Sequence, residues 1–312
     1  MVRYVGIGKE STYGTPVAAA RYIDAVASLK PNLNWYIQPS VVDRSVRKKV
    51  LGIYRTEGRI GEFDVEPENI GELLLGCFGS VSTSQPQAGV YQHTFSPADT
   101  LPSYTLRLGS DIIERVLPGC LVEALTFKFT ADKPVKATAE VYSGMAESLN
   151  SIGTPTLSTL PPLTMFENSV LTIAGSDKRQ QVYEVEVTVK NNILFNRGAV
   201  DSRYYTVRRY GQREVTGKVS LYFDDTSELQ RFLNGEEFTL VVQAQGAVIA
   251  EGYHYGLKLE LRKCVYLRDA APDIVAASEP LVIEAPFQAF YDTAGGFNAE
   301  VKATLVNTVS TY

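Results

Sequence analysis

The sequence is poor in the side chains that build most catalytic and metal sites. Its three cysteines, Cys77, Cys120 and Cys264, are odd in number and far apart, so neither a disulfide framework nor a CxxC metal site is expected. The only two histidines are His93 and His254, too few for a histidine-rich metal centre. No G-x-S-x-G, H-E-x-x-H or strand-linked G-x-G-x-x-G motif occurs. We therefore predict no cofactor, no metal and no enzymatic activity, and three buried cysteines in a reducing compartment.

Long apolar runs and a positive net charge are also missing. No run approaches the ~18 apolar residues of a membrane-spanning helix, and the start, MVRYVGIGKE, lacks the apolar segment of a secretory signal. Lys+Arg 30 against Asp+Glu 35 gives a net charge of −5, which argues against a surface that wraps nucleic acid or anionic lipid. We expect a soluble globular protein, made in the cytoplasm.

Alternation of apolar and polar residues is what the sequence has in abundance. It is clearest in 125–130, 136–142, 183–189 and 257–262, and further strands are predicted near 50–65, 103–108, 206–222, 238–244, 281–291 and 299–307. A period of two is typical of antiparallel strands with one buried face and one solvent-facing face. The sequence therefore predicts an all-β fold.

One of two helical patterns covers residues 66–79. Its apolar face repeats at helical spacing through Ile70, Leu73, Leu74 and Cys77. Pro67 suits the first helical position and Gly79 suits the stop. These signals predict a short helix that begins at Pro67.

The second helical pattern covers residues 224–235. Asp225 followed three residues later by Glu228 predicts a capping box, and Gly235 predicts the stop. Asp224 and Asp225 are then explained as the negative start of a helix. We prefer that interpretation to the paired carboxylates of a glycosidase.

The two helical segments align with each other, which predicts an internal duplication. Gly61–Gly79 lies on Gly217–Gly235 without a gap, and Lys30 to Leu33 lies on Lys190 to Ile193. Both copies are predicted to run strand, charged loop, long strand, short helix, strand. We predict a first domain over 1–147, a linker rich in Ser, Thr and Pro over 148–165, and a second domain over 166–312.

Several passages carry a family resemblance. They are GKESTYGTPV at 8–17, LLLG at 73–76, GVYQHTF at 89–95 continuing to LPSYTL at 101–106, and VEVTVKNN at 185–192. Together they resemble the tail tube proteins of long, flexible-tailed bacteriophages. Many of those proteins have one tube fold, whereas two are predicted in this sequence. The resemblance implies an all-β virion protein with two short helices and two tandem tube-type sandwich domains.

The resemblance also implies an assembly. Exposed sheet edges pair with neighbouring subunits and close a ring, and six folds at two per chain would make that ring a trimer with pseudo-sixfold symmetry. Stacked rings form the tube through which double-stranded DNA is ejected, without sequence-specific binding. A tape measure protein and a tail terminator are implied partners, and the virion is the implied location after assembly in the host cytoplasm.

Two sets of residues are candidates for this assembly. Ring stacking is assigned to the charged loops after the first strand of each domain, at Asp43, Arg44, Arg47, Lys48, Lys49, Arg197, Asp201 and Arg203. Such loops would order on contact, and an ordinary solvated hairpin tip is the alternative. Candidates for the lumen lining are Lys128, Glu140, Glu184 and Glu186, because a lining without net positive charge lets DNA slide.

Three other functions stay open at this level. A carbohydrate- or receptor-binding sandwich is permitted by 18 tyrosines but weakened by a single tryptophan, Trp35. A polysaccharide-degrading enzyme needs opposed carboxylates. An inner-tube protein of a contractile secretion system shares the fold, and the sequence does not separate it from a phage protein.

Overall fold

The computed structural model describes residues 2–166, 168–194, 202–268, 270–272 and 280–312. Most described residues lie in antiparallel strands, and two short α-helices interrupt them. The predicted all-β class with two short helices is confirmed.

The first half of the chain holds twelve strands and one helix. They are β1 (Arg3–Lys9), β2 (Arg21–Ile23), β3 (Ala27–Asn32), β4 (Tyr36–Pro39), β5 (Val46–Val50), β6 (Arg55–Asp64), α1 (Ile70–Phe78), β7 (Gly79–Gln87), β8 (Val90–Pro97), β9 (Tyr104–Ser110), β10 (Ile113–Thr130), β11 (Lys136–Ser143) and β12 (Ser148–Asn150).

The described part of the second half holds eight strands and one α-helix. It holds β13 (Val170–Ile173), β14 (Ser176–Asp177), β15 (Val182–Lys190), β16 (Glu214–Tyr222), α2 (Ser227–Asn234), β17 (Phe238–Ala250), β18 (Tyr253–Tyr266), β19 (Val282–Ala289) and β20 (Lys302–Asn307). The predicted strand over 206–222 begins later than expected, at Glu214.

One continuous antiparallel sheet crosses both halves of the chain. Its strand order is β3-β6-β11-β10-β15-β16-β19-β18, and we call it the long sheet. The halves meet where Leu125 of β10 lies opposite Val189 of β15. The predicted alternation places residues such as Phe127 and Val187 on one buried face. That face joins a single hydrophobic core that extends through both halves.

A second layer of strands packs over the buried face. β10 and β18 belong to both layers, because their first halves pair with β9 and β17 and their last residues pair within the long sheet. β10 has an irregular register between Leu117 and Cys120, where Gly119 has a φ of 67°. The hairpin β7–β8 extends this layer by pairing β8 with β20.

The helices stop where predicted but do not start where predicted. Gly79 and Gly235 end α1 and α2 in the left-handed conformation. However, α1 begins at Ile70, because Pro67 lies in a preceding turn in which Glu66 O accepts the N–H of Ile70 at 3.2 Å. The predicted Pro67 start was therefore wrong by about one turn.

The predicted capping box of α2 does not form. Asp225 Oδ1 accepts the N–H of Ser227 at 2.8 Å, so it does act at the helix start, as its position suggested. Glu228 instead points into the core, where its carboxylate accepts the hydroxyl of Tyr266 at 2.9 Å. Glu228 is buried against the sheet, and a buried carboxylate needs hydrogen-bond partners. It therefore binds Tyr266 instead of capping the start of α2.

Matching contacts in the two halves lie a few residues from the alignment read in the sequence. Asn34 and Asn192 both have positive φ, and each carbonyl accepts an N–H, from Gly52 at 3.1 Å and from Gly211 at 2.8 Å. Each side chain also donates to a backbone carbonyl at 2.8 Å. The matched pair is thus Asn34 and Asn192, whereas the sequence alignment paired Asn32 with Asn192.

Glycines show the same shift. A Cβ on Gly58 would lie 1.8 Å from Ser28 O, and one on Gly217 would lie 2.2 Å from Glu186 O. Gly58 therefore matches Gly217, and the predicted pairing of Gly61 with Gly217 was wrong.

Residues 148–165, predicted as a linker, run between the two halves. They begin with β12, and Leu163 near their end is buried in the core. Leu163 N donates to Val65 O at 2.9 Å. The domain division itself stays a prediction.

Candidate assembly surfaces

The solvent face of the long sheet carries all four residues predicted to line a lumen. Lys128 lies opposite Glu186 across the β10–β15 pair, and Glu184 is two residues from Glu186 on the same face. Glu140 shares this face on β11, opposite Arg59 of β6. The geometry therefore brings Lys128, Glu140, Glu184 and Glu186 onto one surface, because each strand exposes every second residue.

Two lysines on this face have carboxylate partners. Lys128 Nζ lies 3.0 Å from Glu184, and the hydrogen bond raises the pKa of Lys128. Lys136 Nζ lies 2.8 Å from Asp64, whose hydrogen bond likewise raises the lysine pKa. These exposed pairs contribute little stability, but each sets a negative charge beside a positive one.

Sequence reasoning missed much of this surface. Lys218 Nζ lies 3.0 Å from Glu284, and a row of threonines crosses the middle of the sheet. Thr126 and Thr188 hydrogen-bond to each other at 2.8 Å, and Thr138 and Thr216 lie opposite them. Alternation alone could have put these residues on the face, but only strand order makes them one surface.

The first predicted stacking loop is a hairpin that forms its own two-stranded sheet. β4 and β5 pair with each other, and every residue of both strands is exposed. Its apolar side chains, Tyr36, Ile37, Val41, Val42, Val46 and Val50, all face solvent. This apolar, basic projection differs from the flexible loop that was expected, and it is the type of surface that marks a protein contact.

The charged candidates Asp43, Arg44, Arg47, Lys48 and Lys49 are all exposed on this hairpin. Asp43 organises the tip. The pKa of Asp43 is lowered to about 2 by hydrogen bonds that its carboxylate accepts. The largest effect comes from the Ser45 hydroxyl, followed by the Ser45 N–H and by Arg47. At the base of the hairpin, Lys49 Nζ lies 5.4 Å from the ring centroid of Trp35.

The second predicted loop is described only at its end. Arg197 and Asp201 lie outside the described residues. Arg203 is half-buried, its guanidinium lies 5.6 Å from the Tyr204 ring centroid, and its carbonyl accepts the N–H of Tyr54 at 2.9 Å. This part of the loop lies against the first half of the chain.

The two halves join through a polar contact that sequence reasoning missed. We call the pairing of β10 with β15, together with the C-terminal end of α1, the internal joint. Asn191 lies buried there, and its Nδ2 donates to the carbonyls of Cys77 and Val122, both at 3.0 Å. Asn191 N donates to Glu123 O at 2.7 Å. One side chain thus connects helix, β10 and β15.

Glu123 completes the internal joint. Its carboxylate accepts the N–H of Ile193 at 2.7 Å, and the side chain is buried. Burial raises the pKa of Glu123. A lone asparagine after a strand is a weak sequence signal, so this contact could not have been predicted without the strand register.

The long sheet ends at β3 on one side and at β18 on the other. These strands resemble β15 and β10, the two strands that pair at the internal joint. Among the described residues, β3 pairs with β6 alone, and Leu29 O on its other side accepts only the Arg115 side chain, at 2.9 Å. At the other end, β18 pairs with β17 only as far as Cys264. Open edges of this type can accept a strand from another chain.

Within the described part of the chain, no helix is long and apolar enough to cross a membrane. Across the same ranges no cluster of three or more His, Cys, Asp or Glu side chains is placed to hold a metal ion. Asp225, one of the carboxylates considered for catalysis, lies 3.2 Å from Lys178 Nζ and next to the start of α2.

Comparison with known families identifies one match. The family model described as phage tail tube protein matches residues 2–289, most of the chain. No curated protein sequence matches the chain at a significant level.

Proposed function

Because this chain belongs to the phage tail tube protein family, and is therefore a structural component of a phage virion, we propose that three copies form a ring with pseudo-sixfold symmetry. Each copy supplies two tube-type units. Rings then stack into the tail tube through which double-stranded DNA leaves the virion.

The long sheet is the observation that carries this proposal. It crosses from one half of the chain to the other through the internal joint. Among the described residues, the outer side of β3 and the β17 side of β18 beyond Cys264 have no strand partner. β3 corresponds to β15, and β18 corresponds to β10, in their contacts with neighbouring strands. A second copy can therefore place its β3 beside the end of β18 in the first copy, at the position that matches the start of the β10–β15 pair. Repeating this contact head to tail closes a ring.

The solvent face of the long sheet would then line the lumen. Its lysines at 128, 136 and 218 each lie beside a carboxylate, and its middle row consists of threonines. In such a lining these three lysines already have carboxylate partners, which weakens their attraction for DNA phosphates and favours passage over binding. Replacing Glu184 and Glu186 with lysine should slow DNA release from assembled virions.

The β4–β5 hairpin is the proposed stacking element. It projects away from the sheets and exposes apolar and basic residues together, so covering it would remove apolar area from water. We assign Asp43, Arg44, Arg47, Lys48 and Lys49 to the axial contact, with Arg197, Asp201 and Arg203 as the candidates in the second half. The tape measure protein and the tail terminator are proposed partners inside and at the end of the tube.

The ring is tested by the mass and symmetry of the full chain after concentration. Light scattering and electron microscopy should find three-chain rings and tubes built from them. A ring of six full chains would reject the predicted stoichiometry, and a protein that stays monomeric under all conditions would reject the proposal.

Stacking is tested separately by deleting residues 41–48. These comprise the hairpin tip and the first three residues of β5, all exposed, so folding and three-chain rings should persist while tubes disappear. Tubes of normal length from the deletion variant would contradict the assignment.

A further inference from the structure

We propose that the ring is closed by a cluster of three leucines, in which Leu33 of one copy packs against Leu233 and Leu267 of its neighbour. We call this contact the leucine joint. It takes the place that Asn191, Cys77 and Glu123 occupy at the internal joint. The inference rests on the proposed ring and identifies the residues that close it.

Leu33 is the counterpart of Asn191. Each residue directly precedes the asparagine with positive φ, Asn34 in one half and Asn192 in the other. Those asparagines make the same two backbone contacts, as described above. Leu33 therefore occupies, at the end of β3, the position from which Asn191 reaches across from the end of β15.

Leu233 is the counterpart of Cys77. Each residue stands two positions before the glycine that ends its helix, Gly79 for α1 and Gly235 for α2. At the internal joint, Asn191 Nδ2 lies 3.7 Å from Cys77 Sγ, so the two side chains are in contact. The corresponding contact at the ring closure is between Leu33 and Leu233.

Leu267 is the counterpart of Glu123. Cys120 lies opposite Tyr104 and Ser143, while Cys264 lies opposite Phe238 and Ala289. Cys120 in β10 and Cys264 in β18 therefore occupy equivalent positions. Glu123 is three residues after Cys120, and Leu267 is three residues after Cys264.

The three polar or small side chains of the internal joint are buried, whereas the three leucines are exposed. Leu33, Leu233 and Leu267 have relative exposures of 38%, 71% and 51%. Exposed leucines at three positions that the internal joint brings together indicate a surface completed by another molecule. The occupant is a second copy, because the internal joint already provides a contact of the same geometry.

The change of chemistry has a physical consequence. Asn191 can be buried only if both carbonyl acceptors are in place, which suits a contact made once during folding. Leucine requires no hydrogen-bond partner and gains stability from apolar burial alone. The leucine joint therefore suits a contact that forms between folded subunits. The difference between the joints also disfavours pairing of β3 with β10 in place of β15. Leu33 would then replace Asn191 and leave the carbonyls of Cys77 and Val122 without that donor.

The first test is cross-linking of the full chain carrying Leu33→Cys and Leu233→Cys. Assembled protein is oxidised with copper phenanthroline in air and analysed on a non-reducing gel. We expect covalent oligomers that end at the trimer, because three disulfides close the ring. The native cysteines do not interfere, since all three are buried and burial raises the pKa of Cys77 to about 12.

The matched control is Leu33→Cys with Leu149→Cys. Leu149 on β12 is 64% exposed, close to Leu233, but has no place in the leucine joint, so this pair should stay monomeric on the gel. Tubes of the Leu33/Leu233 cysteine variant that assemble normally but yield no cross-link would overturn the leucine joint while leaving the tube function intact. Wild-type protein that forms no ring at all would overturn both.

A charge at Leu233 provides the second test. Leu233→Asp should keep the melting temperature of the isolated subunit within about 2 °C of the wild type, because the side chain is exposed. Ring and tube formation should fall at least tenfold, since the charge would be buried at the closure. Leu149→Asp should assemble as the wild type does. Normal tubes from Leu233→Asp would contradict the proposal.

Discussion

The two helices hold matched places in the fold but differ in what covers them. All nine residues of α1, IGELLLGCF, are buried. In α2, SELQRFLN, Glu228 alone reaches that degree of burial and Leu233 projects into solvent. Both helices end at a left-handed glycine and both direct a glutamate toward a core tyrosine, so their local structure is similar. The difference lies in their surroundings.

Within the described ranges, α1 is covered by parts of the chain that have no counterpart at α2. The hairpin β7–β8 follows α1 directly, and β8 packs against the helix. The ring of Tyr312 lies against Gly71, where a Cβ would come within 2.1 Å of the ring. Asn191 of the second half covers its C-terminal end. The comparison shows that α1 is covered within one subunit, whereas α2 keeps an exposed side that the proposed ring would cover.

The largest expected contrast comes from matched leucines in the two helices. Leu73→Ala removes a fully buried side chain of α1 and should lower the free energy of unfolding by ~2–5 kcal/mol. Leu229→Ala removes the half-buried counterpart in α2 and should cost about 1 kcal/mol in the subunit. Urea unfolding of both variants measures the change in the free energy of unfolding. Equal changes in the two variants would show that the difference in burial does not affect stability.

A smaller effect is expected at the internal joint. Asn191→Ala leaves the carbonyls of Cys77 and Val122 without their side-chain donor and should cost ~1–3 kcal/mol of unfolding free energy. Asn150→Ala, at an exposed position on β12, serves as the control and should stay within about 0.5 kcal/mol. If Asn191→Ala is as stable as the control, the polar joint does not hold the halves together.

The cover of α1 should also depend on pH. His93 on β8 is buried, its Nε2 faces Val309 O at 2.8 Å and Asn307 Oδ1 at 3.2 Å, and Thr83 Oγ1 lies 2.8 Å from Nδ1. Burial lowers the pKa of His93 below its ordinary value of 6.5. The unfolded chain therefore binds the proton more readily, so His93 costs the folded state stability as pH falls through 6.5, and none above that value.

The measurement compares urea unfolding of wild type and His93→Gln between pH 7.5 and 5.5. Burial raises the pKa of Glu72 and Glu123, which acts in the opposite direction, but these groups are common to both proteins. The wild type should lose more stability on acidification than His93→Gln. Parallel pH profiles would exclude His93 as the source.

The smallest effect is expected for the ion pair that crosses the internal joint. Lys128→Met removes the partner of Glu184 and should change the unfolding free energy by less than about 1 kcal/mol, because both groups lie on a solvent-facing surface. Any loss should shrink in high salt. Lys218→Met, whose pair with Glu284 lies within the second half, is the matched control. A loss well above that for Lys218→Met would mean that the pair stabilises the joint beyond its exposure.

Local patterns predicted the strands that are buried on one face. Alternation located β6, β11, β15 and β19 because each has one apolar side. The same reasoning missed β4, β5 and β7, whose residues are almost all exposed. A strand without a buried face has no period of two to detect.

The sequence alignment of the two halves was wrong by two or three residues because it matched identical residue types. Gly61 and Gly217 match as letters, yet Gly58 is the residue whose backbone approach resembles that of Gly217. A glycine is fixed by the strand that approaches it, and that strand is distant in sequence. Pairing of Asn34 with Asn192 became visible only through φ and hydrogen bonds.

The candidate surfaces divide in the same way. Lys128, Glu140, Glu184 and Glu186 were assigned to solvent faces by alternation, and they lie on one such face. The internal joint, with buried Asn191 and Glu123, had no sequence signal that would have distinguished it from an ordinary strand end.

What the sequence by itself determined is the buried face of the strands that alternate and the glycine at which each helix stops, because both depend on neighbours a few residues away. The tertiary structure alone decided which strands pair. It pairs β10 with β15, whereas in the described parts of the chain β3 has β6 as its single strand partner and β18 has none on its β17 side beyond Cys264. Backbone hydrogen bonds between strands are the same for every residue type except proline, so the sequence does not encode the partner strand locally. Packing of the core selects it, and that selection leaves Leu33, Leu233 and Leu267 at the surface.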